Sequence, residues 1–231
     1  MEFFVTHQTV EHYSGDCAVA FVFKDTAHQN KDLHQLLELN RFDAIVGATL
    51  MLSRVNGYKT KRLLVVGLGD SSLNEKNYIK VLHSLSSALS DAKVKNVVIP
   101  DVQIDSRDES WVQLTTARVL KNACYQVEKV DAKEKNEKGT LEAISIYSEN
   151  NDATEINKGL AIANGMALTR RLGDLPSNIC TPRYLAETAK SLAKSYNLNC
   201  EVLEESDMET LGMNSLLSVS KGSSEPGKLI S

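Results

Sequence analysis

The sequence predicts an α/β fold with mostly parallel strands. Three observations carry this. Compact apolar runs recur, CAVAFVF at 17–23 and LLVVG at 63–67, and runs without alternation suit strands buried on both faces. Segments with helical apolar spacing separate them, as at 31–39 with Leu33, Leu36, Leu37 and Leu39. The order strand, helix, strand, helix, strand implies crossovers, which set strands parallel beneath helices.

The elements follow in order. The 63–67 run lies behind Lys61 and Arg62 and is broken by Gly67 and Gly69. Ser72 and Glu75 form a capping-box pattern, in which each side chain satisfies a free amide at a helix start. Tyr78, Leu82, Leu85 and Leu89 give that helix its apolar side. Residues 94–99 read as a strand closed by Pro100. Ser106 and Glu109 repeat the capping pattern, and Trp111, Leu114, Ala117 and Cys124 share one helix face, with Leu120 between them. Residues 127–139 are charged and read as a surface loop, and 141–147 alternate like a strand.

This first domain is expected to span 1–150. A linking helix over 151–173 starts near Asp152 and Glu155, with Ile156, Leu160, Ala163 and Ala167 inward. Gly173 can end it in the left-handed conformation, and Pro176 prevents continuation. Asn178 suits a turn, Thr181 an N-cap and Pro182 the first helical position. Leu185, Ala189, Leu192 and Tyr196 form the stripe of the helix that follows. The second domain, 174–231, then reads as a strand at 198–203, a short helix begun by Ser206 and Glu209, a strand at 216–219, the loop GSSEPG, and the start of a strand at 228–230.

Composition narrows the function classes. Hydrophobic residues at 42% and charged residues at 24% are globular values. A net charge of −4 argues against a broadly basic nucleic-acid surface. Cys17, Cys124, Cys180 and Cys200 form neither a CxxC pair nor a zinc-finger cluster. With no signal-peptide pattern and no long apolar run, this predicts a cytoplasmic protein with free thiols.

Local features offer little chemistry. His7, His12, His28, His34 and His83 are scattered, and none pairs with a second ligand at metal spacing. Glu204, Glu205 and Asp207 read as a helix start favoured by the dipole. Cys180 has no histidine in a catalytic arrangement. Gly67-Leu68-Gly69 before a helix is a weak phosphate-loop signal. Lys59, Lys61 and Arg62, with Lys93 and Lys95, are small basic groups that a DNA backbone could meet.

Four stretches resemble the leucyl aminopeptidase family, the di-metal cytosol aminopeptidases of PepA type. They are KRLLVVGLG at 61–69, LPSNICTPRYLA at 175–186, VLEESDMETLGM at 202–213 and LLSVSKGSSEPGKLI at 216–230, in the family's order and spacing. Asp174, Arg171 and Asn214 depart from the family pattern, at positions that shape loops. The resemblance implies a macro-domain-like N-terminal α/β domain, the linking helix, and the beginning of a metallopeptidase domain. It also implies peptide substrates, a homo-hexamer and two divalent metals (manganese, zinc or magnesium) that polarise the scissile carbonyl and activate water.

The family's ligands, a lysine, three aspartates and a glutamate, lie in Asn-Thr-Asp-Ala-Glu-Gly-Arg and Phe-Asp-Thr-Gly-Gly motifs. Neither motif occurs in this chain. No catalytic, cofactor-binding or metal-binding role is therefore carried onto any residue here. The motifs are expected beyond Ser231, with residues 1–231 inactive alone and exposing apolar surface in the second domain. The alternative is a DNA-binding, regulatory or assembly module of the same family.

Overall fold

A computed structural model describes residues 1–24, 29–127 and 141–231. The chain divides into two compact units, Met1–Ala167 and Leu168–Ser231. The first is built on a six-stranded sheet in the order β1-β6-β5-β2-β4-β3. Its strands are β1 (Glu2–Thr6), β2 (Cys17–Val22), β3 (Thr49–Ser53), β4 (Arg62–Gly67), β5 (Asn96–Ile99) and β6 (Ala143–Tyr147). All pair parallel except β3, which runs antiparallel to β4 at one edge. The helices of this unit are α1 (Lys31–Leu39), α2 (Glu75–Asp91), α3 (Glu109–Ala123) and the first part of α4 (Thr154–Asp174).

The continuous apolar runs have a direct explanation. Side chains alternate across a strand, so a sheet covered on both faces needs apolar residues at every position. Cys17, Val19, Leu64, Val66, Val97 and Ile99 join one core cluster with Tyr78, Leu82 and Leu85 of α2 and Leu120 of α3. Ala18, Ala20, Leu63, Val65 and Val98 join the other with Leu33 of α1. The α/β class is therefore as expected, and β3 is the antiparallel exception. β1 and β3 had no clear signal: EFFVT and TLMLS are short edge strands flanked by polar loops.

The helix caps differ from the capping-box expectation. Asn74 caps α2, its Oδ1 accepting from the Asn77 amide at 3.0 Å, so Ser72 lies outside the helix. Asp108 caps α3, accepting from the Trp111 amide at 2.9 Å. Ser106 cannot, because its φ of 60° is left-handed. In both helices a residue adjacent to the first turn, asparagine or aspartate, takes the cap in place of the serine two residues earlier. The buried side of α3 is also broader than expected. Val112, Thr116, Ala117 and Leu120 are buried, Trp111 is half-buried, and Cys124 is an exposed C-cap. Of the 127–139 stretch, only Val127 is described, and the rest lies outside the described residues.

α4 buries Ile156, Gly159 and Ala163, with Leu160 and Ala167 half-buried. Gly159 permits a close approach: a Cβ there would lie 2.3 Å from the Leu114 carbonyl oxygen. The helix does not end at Gly173. It runs through to Asp174, with the Leu175 amide donating to the Arg171 carbonyl at 3.1 Å. Pro176 is the actual breaker, because it forces Leu175 out of the helical region.

The second unit holds α5 (Pro182–Tyr196), α6 (Glu205–Thr210), α7 (Asn214–Ser220) and the antiparallel pair β7 (Val202–Leu203) and β8 (Leu229–Ile230). Thr181 caps α5 with Pro182 in its first turn, as expected. The α5 stripe is corrected: Ala186 is buried, while Leu185 and Tyr196 are exposed. The 198–203 strand shrinks to two residues. Glu204 is the N-cap of α6, its amide donating to Asp207 Oδ2 at 2.9 Å, so Ser206 is inside the helix. Residues 216–219 form part of helix α7, where a strand was expected, with Leu217 buried and Val219 exposed. A stretch as short as Leu-Leu-Ser-Val fits either period, and the Met213 carbonyl accepting from the Leu217 amide settles it as helix.

The N-terminal edge of the sheet is locked by one carboxylate. Asp16 accepts from Arg62 Nε at 3.1 Å, from Arg62 Nη2, and from the Lys95 amide at 2.9 Å. Arg62 Nη1 donates to the Ala92 carbonyl at 2.6 Å. Partial burial alone would raise the Asp16 carboxyl, but the Lys95 amide and the bonded charge of Arg62 outweigh it and hold it below the ordinary value. Its stabilisation is thus present above the unfolded-state value and lost as pH falls through the depressed folded value.

Asp16→Asn is expected to lower unfolding free energy by about 2 kcal/mol at neutral pH, with the loss shrinking in acid, measured by urea melts across pH. Gly159→Ala should also destabilise. The helix-propensity gain of about 1 kcal/mol is smaller than the ~1–3 kcal/mol of overpacking against a backbone carbonyl. A higher melting temperature for this variant would contradict the close approach.

Candidate functional site

Open parallel sheets place ligands at the carboxyl ends of their strands. Gly67, Leu68 and Gly69 lie there, at the end of β4. Their amides are all occupied. Gly67 donates to the Ala48 carbonyl, Leu68 to Val22 and Gly69 to Ala44, each at 2.8 Å. A Cβ on Gly67 would lie 2.4 Å from the Ile45 carbonyl oxygen, and Gly69 has φ +87°. The glycines therefore admit the neighbouring 44–48 backbone, and none of the three amides is left to cradle a phosphate.

The basic groups are partly consumed by structure. Arg62 is committed to Asp16 and Ala92. Lys95 lies 3.9 Å from Glu142 on the surface. Lys93 is the residue after the α2 C-cap, with φ 50°.

Beyond β5 and β6 lies a group of acids that the sequence did not reveal. Burial raises the Asp101 carboxyl, and the charges of Glu109 and Glu149 add to this against one lowering bond from the Val102 amide. Glu109 Oε1 accepts from Gln113 Nε2 at 2.6 Å and from the Ser148 hydroxyl at 3.1 Å. Asp101 and Glu109 belong to the β5–α3 connection and Glu149 to the β6–α4 connection, so only the folding of two connections together brings the three near one another. The Ser148 bond to Glu109 ties the start of α3 to the residue that follows β6.

Nucleophiles and metal ligands are sparse. Burial, foremost, pushes the Cys17 thiol up to about 12, which makes it inert. All four cysteines are free, Cys180 half-exposed. His12 bonds Thr9, His34 lies 3.5 Å from Glu38, and His28 falls outside the described residues. Among the described residues, no group of three or more His, Cys, Asp or Glu side chains could hold a metal ion.

In the second unit, Pro176 opens the loop that precedes α5. Its carbonyl accepts from the Ile179 and Cys180 amides, both at 2.9 Å. The acids of 204–207 have structural partners. Glu205 Oε1 accepts from the Gly227 amide at 2.9 Å and from the Ser220 hydroxyl at 2.7 Å, and these bonds hold its carboxyl below the ordinary value. Glu204 pairs with Lys228. A groove of about 340 Å³ lies between the end of α4 and α5, walled by Leu168, Leu172, Tyr184 and Leu192.

Residues 18–134 match the model of the cytosol aminopeptidase family, N-terminal domain, and residues 167–231 match that family's catalytic domain. A probable cytosol aminopeptidase of Vesicomyosocius okutanii is 48% identical over 231 residues, covering 100% of this chain and 48% of the relative. One from Nitrosomonas europaea is 34% identical over 249 residues, covering 100% and 50%. The chain spans about half the length of the curated relatives it matches. In fold, a mutant of tomato leucine aminopeptidase superposes with a TM-score of 0.73 at 22% identity, covering 100% of this chain and 50% of that one. The bottromycin maturation enzyme BotP gives 0.78 at 19% identity, covering 94% and 45%.

The amides of Gly67, Leu68 and Gly69 should exchange slowly with solvent deuterium. Their resonances should not move on titration with inorganic phosphate. A phosphate-dependent shift at these three positions would overturn their assignment as packing glycines.

Proposed function

We propose, because this chain belongs to the cytosol aminopeptidase family, that it forms the N-terminal portion of a metal-dependent, leucyl-type aminopeptidase that releases N-terminal residues from peptides. The observation that carries this is the order of the two family models, an N-terminal domain at 18–134 and the start of a catalytic domain at 167–231. Identity of 48% across all 231 residues to a probable cytosol aminopeptidase supports it.

On this reading the first unit is a non-catalytic α/β body, and the second is the opening of the peptidase domain. Two divalent ions, manganese, zinc or magnesium, belong to the reading, but the described residues contain no donor set that fits them. No catalytic step is assigned to a side chain of this chain, and its own contribution is to fold and to carry the domain that follows. Assembly as a homo-hexamer in the cytoplasm is part of the same proposal. Among the described residues, no helix is long and apolar enough to cross a membrane.

The test is hydrolysis of a leucine anilide with added manganese. A protein that continues past residue 231 to the length of the relatives should release product, and a chelator should stop it. Residues 1–231 alone should give no hydrolysis above buffer. Silence from the longer protein would overturn the peptidase reading, and metal-dependent turnover by 1–231 would overturn the absence of ligands.

A further inference from the structure

A cavity of about 520 Å³ opens at the carboxyl end of β2. That size lies in the usual range for small-molecule sites. β2 lies between β5 and β4 in the sheet. The chain leaves β2 towards the β3–β4 side and leaves β5 towards β6, the opposite side. The connections therefore diverge at this strand end, the position where open parallel sheets form ligand crevices.

The cavity has an apolar floor and a rim of both charges. Val22, Phe23, Leu37, Phe42 and Ala44 contribute the apolar surface. Lys24 sits 3.7 Å from Asp43, and His34 3.5 Å from Glu38. Both pairs are exposed and long, so they are weak and exchange readily with a ligand. Arg41 also lines the cavity, and its guanidinium has no ion pair or hydrogen bond among the described residues.

Arg41 is held firmly by its backbone. It follows the C-cap of α1 at φ +49°, its amide donating to the Glu38 carbonyl and the Phe42 amide to Leu37, both at 2.9 Å. This is the position after a helix where glycine is favoured, and an arginine there adopts the left-handed conformation at a cost. A cation near a helix end suits the dipole, and Lys93 holds the equivalent place after α2. Arg41 differs in lining a cavity with an aromatic floor.

From this we infer that the cavity binds an apolar α-amino acid as its zwitterion. The carboxylate would meet the guanidinium of Arg41, which suits a bidentate pair. The ammonium would meet Asp43 and Glu38, and the side chain would rest on Phe23, Leu37 and Phe42. Amino-acid binding at this cavity and peptidase activity are separate properties: failure of the peptidase assay leaves the first intact, and failure of the binding leaves the second intact.

The experiment is calorimetric titration of the 231-residue chain with L-phenylalanine and L-leucine, with amide resonances followed in parallel. Binding should shift Phe23, Arg41 and Phe42. Phenylalaninamide, which lacks the carboxylate, should bind about tenfold more weakly. Arg41→Gly should lose about tenfold in affinity while its melting temperature stays level or rises, because glycine relieves the left-handed residue. Asp43→Asn should weaken phenylalanine but not 3-phenylpropionate, which has no ammonium.

Equal binding of phenylalanine and its amide would overturn the proposal, as would undiminished affinity in Arg41→Gly or an absence of heat at millimolar ligand. Binding of ADP-ribose at these resonances in place of amino acids would overturn the ligand class. If Arg41→Gly fails to fold, the amide comparison on the unaltered chain decides alone.

Discussion

The fold depends on the Asp16 carboxylate and the Arg62 guanidinium. Asp16 precedes β2, Arg62 begins β4, the Lys95 amide precedes β5, and the Ala92 carbonyl caps α2. One ion pair therefore holds in register the amino ends of three adjacent strands and the end of the crossover helix between two of them. Parallel strands have no hairpin to set their register, so a side-chain clamp at their starts is physically useful. The pair is only about a quarter exposed, which makes it stronger than a surface pair. It also removes the most prominent arginine from any nucleic-acid surface.

The opposite edge of the sheet is governed by close backbone packing. Gly67 and Gly69 let the 44–48 connection lie directly on the end of β4, and the Gly47 amide donates back to the Gly67 carbonyl at 2.9 Å. That connection then becomes edge strand β3, antiparallel to β4. The glycines that looked like a phosphate loop are what lets the sheet turn one strand around. The same connection begins with Arg41, Phe42 and Asp43, which line the cavity at the end of β2.

The second unit rests on fewer apolar contacts. Its buried apolar side chains are Ala186, Met208 and Leu217, while Tyr196, Leu198, Leu211 and Val219 stand exposed. Polar ties carry more of its shape. Glu205 joins α6 to α7 and to the Gly227 turn, and Arg183 reaches Glu225 at 3.8 Å. Carboxylates bonded in this way weaken when protonated, so acid should loosen this unit.

Much was legible in the sequence itself. It determined the α/β class, because continuous apolar runs between helical stripes fit strands covered on both faces. It also identified the family through LPSNICTPRYLA and the motifs after it. The Thr181 cap with Pro182 was readable because both preferences are local. Tertiary structure decided the rest. The caps at Asn74 and Asp108, the passage of α4 through Gly173, and the helical state of 214–220 depended on bonds that short patterns leave open. The antiparallel β3, the occupied amides of Gly67–Gly69, the Asp101 group and the Arg41 cavity join residues far apart in the chain. Their physical cause is burial and pairing across the fold, which leaves no periodic trace in sequence.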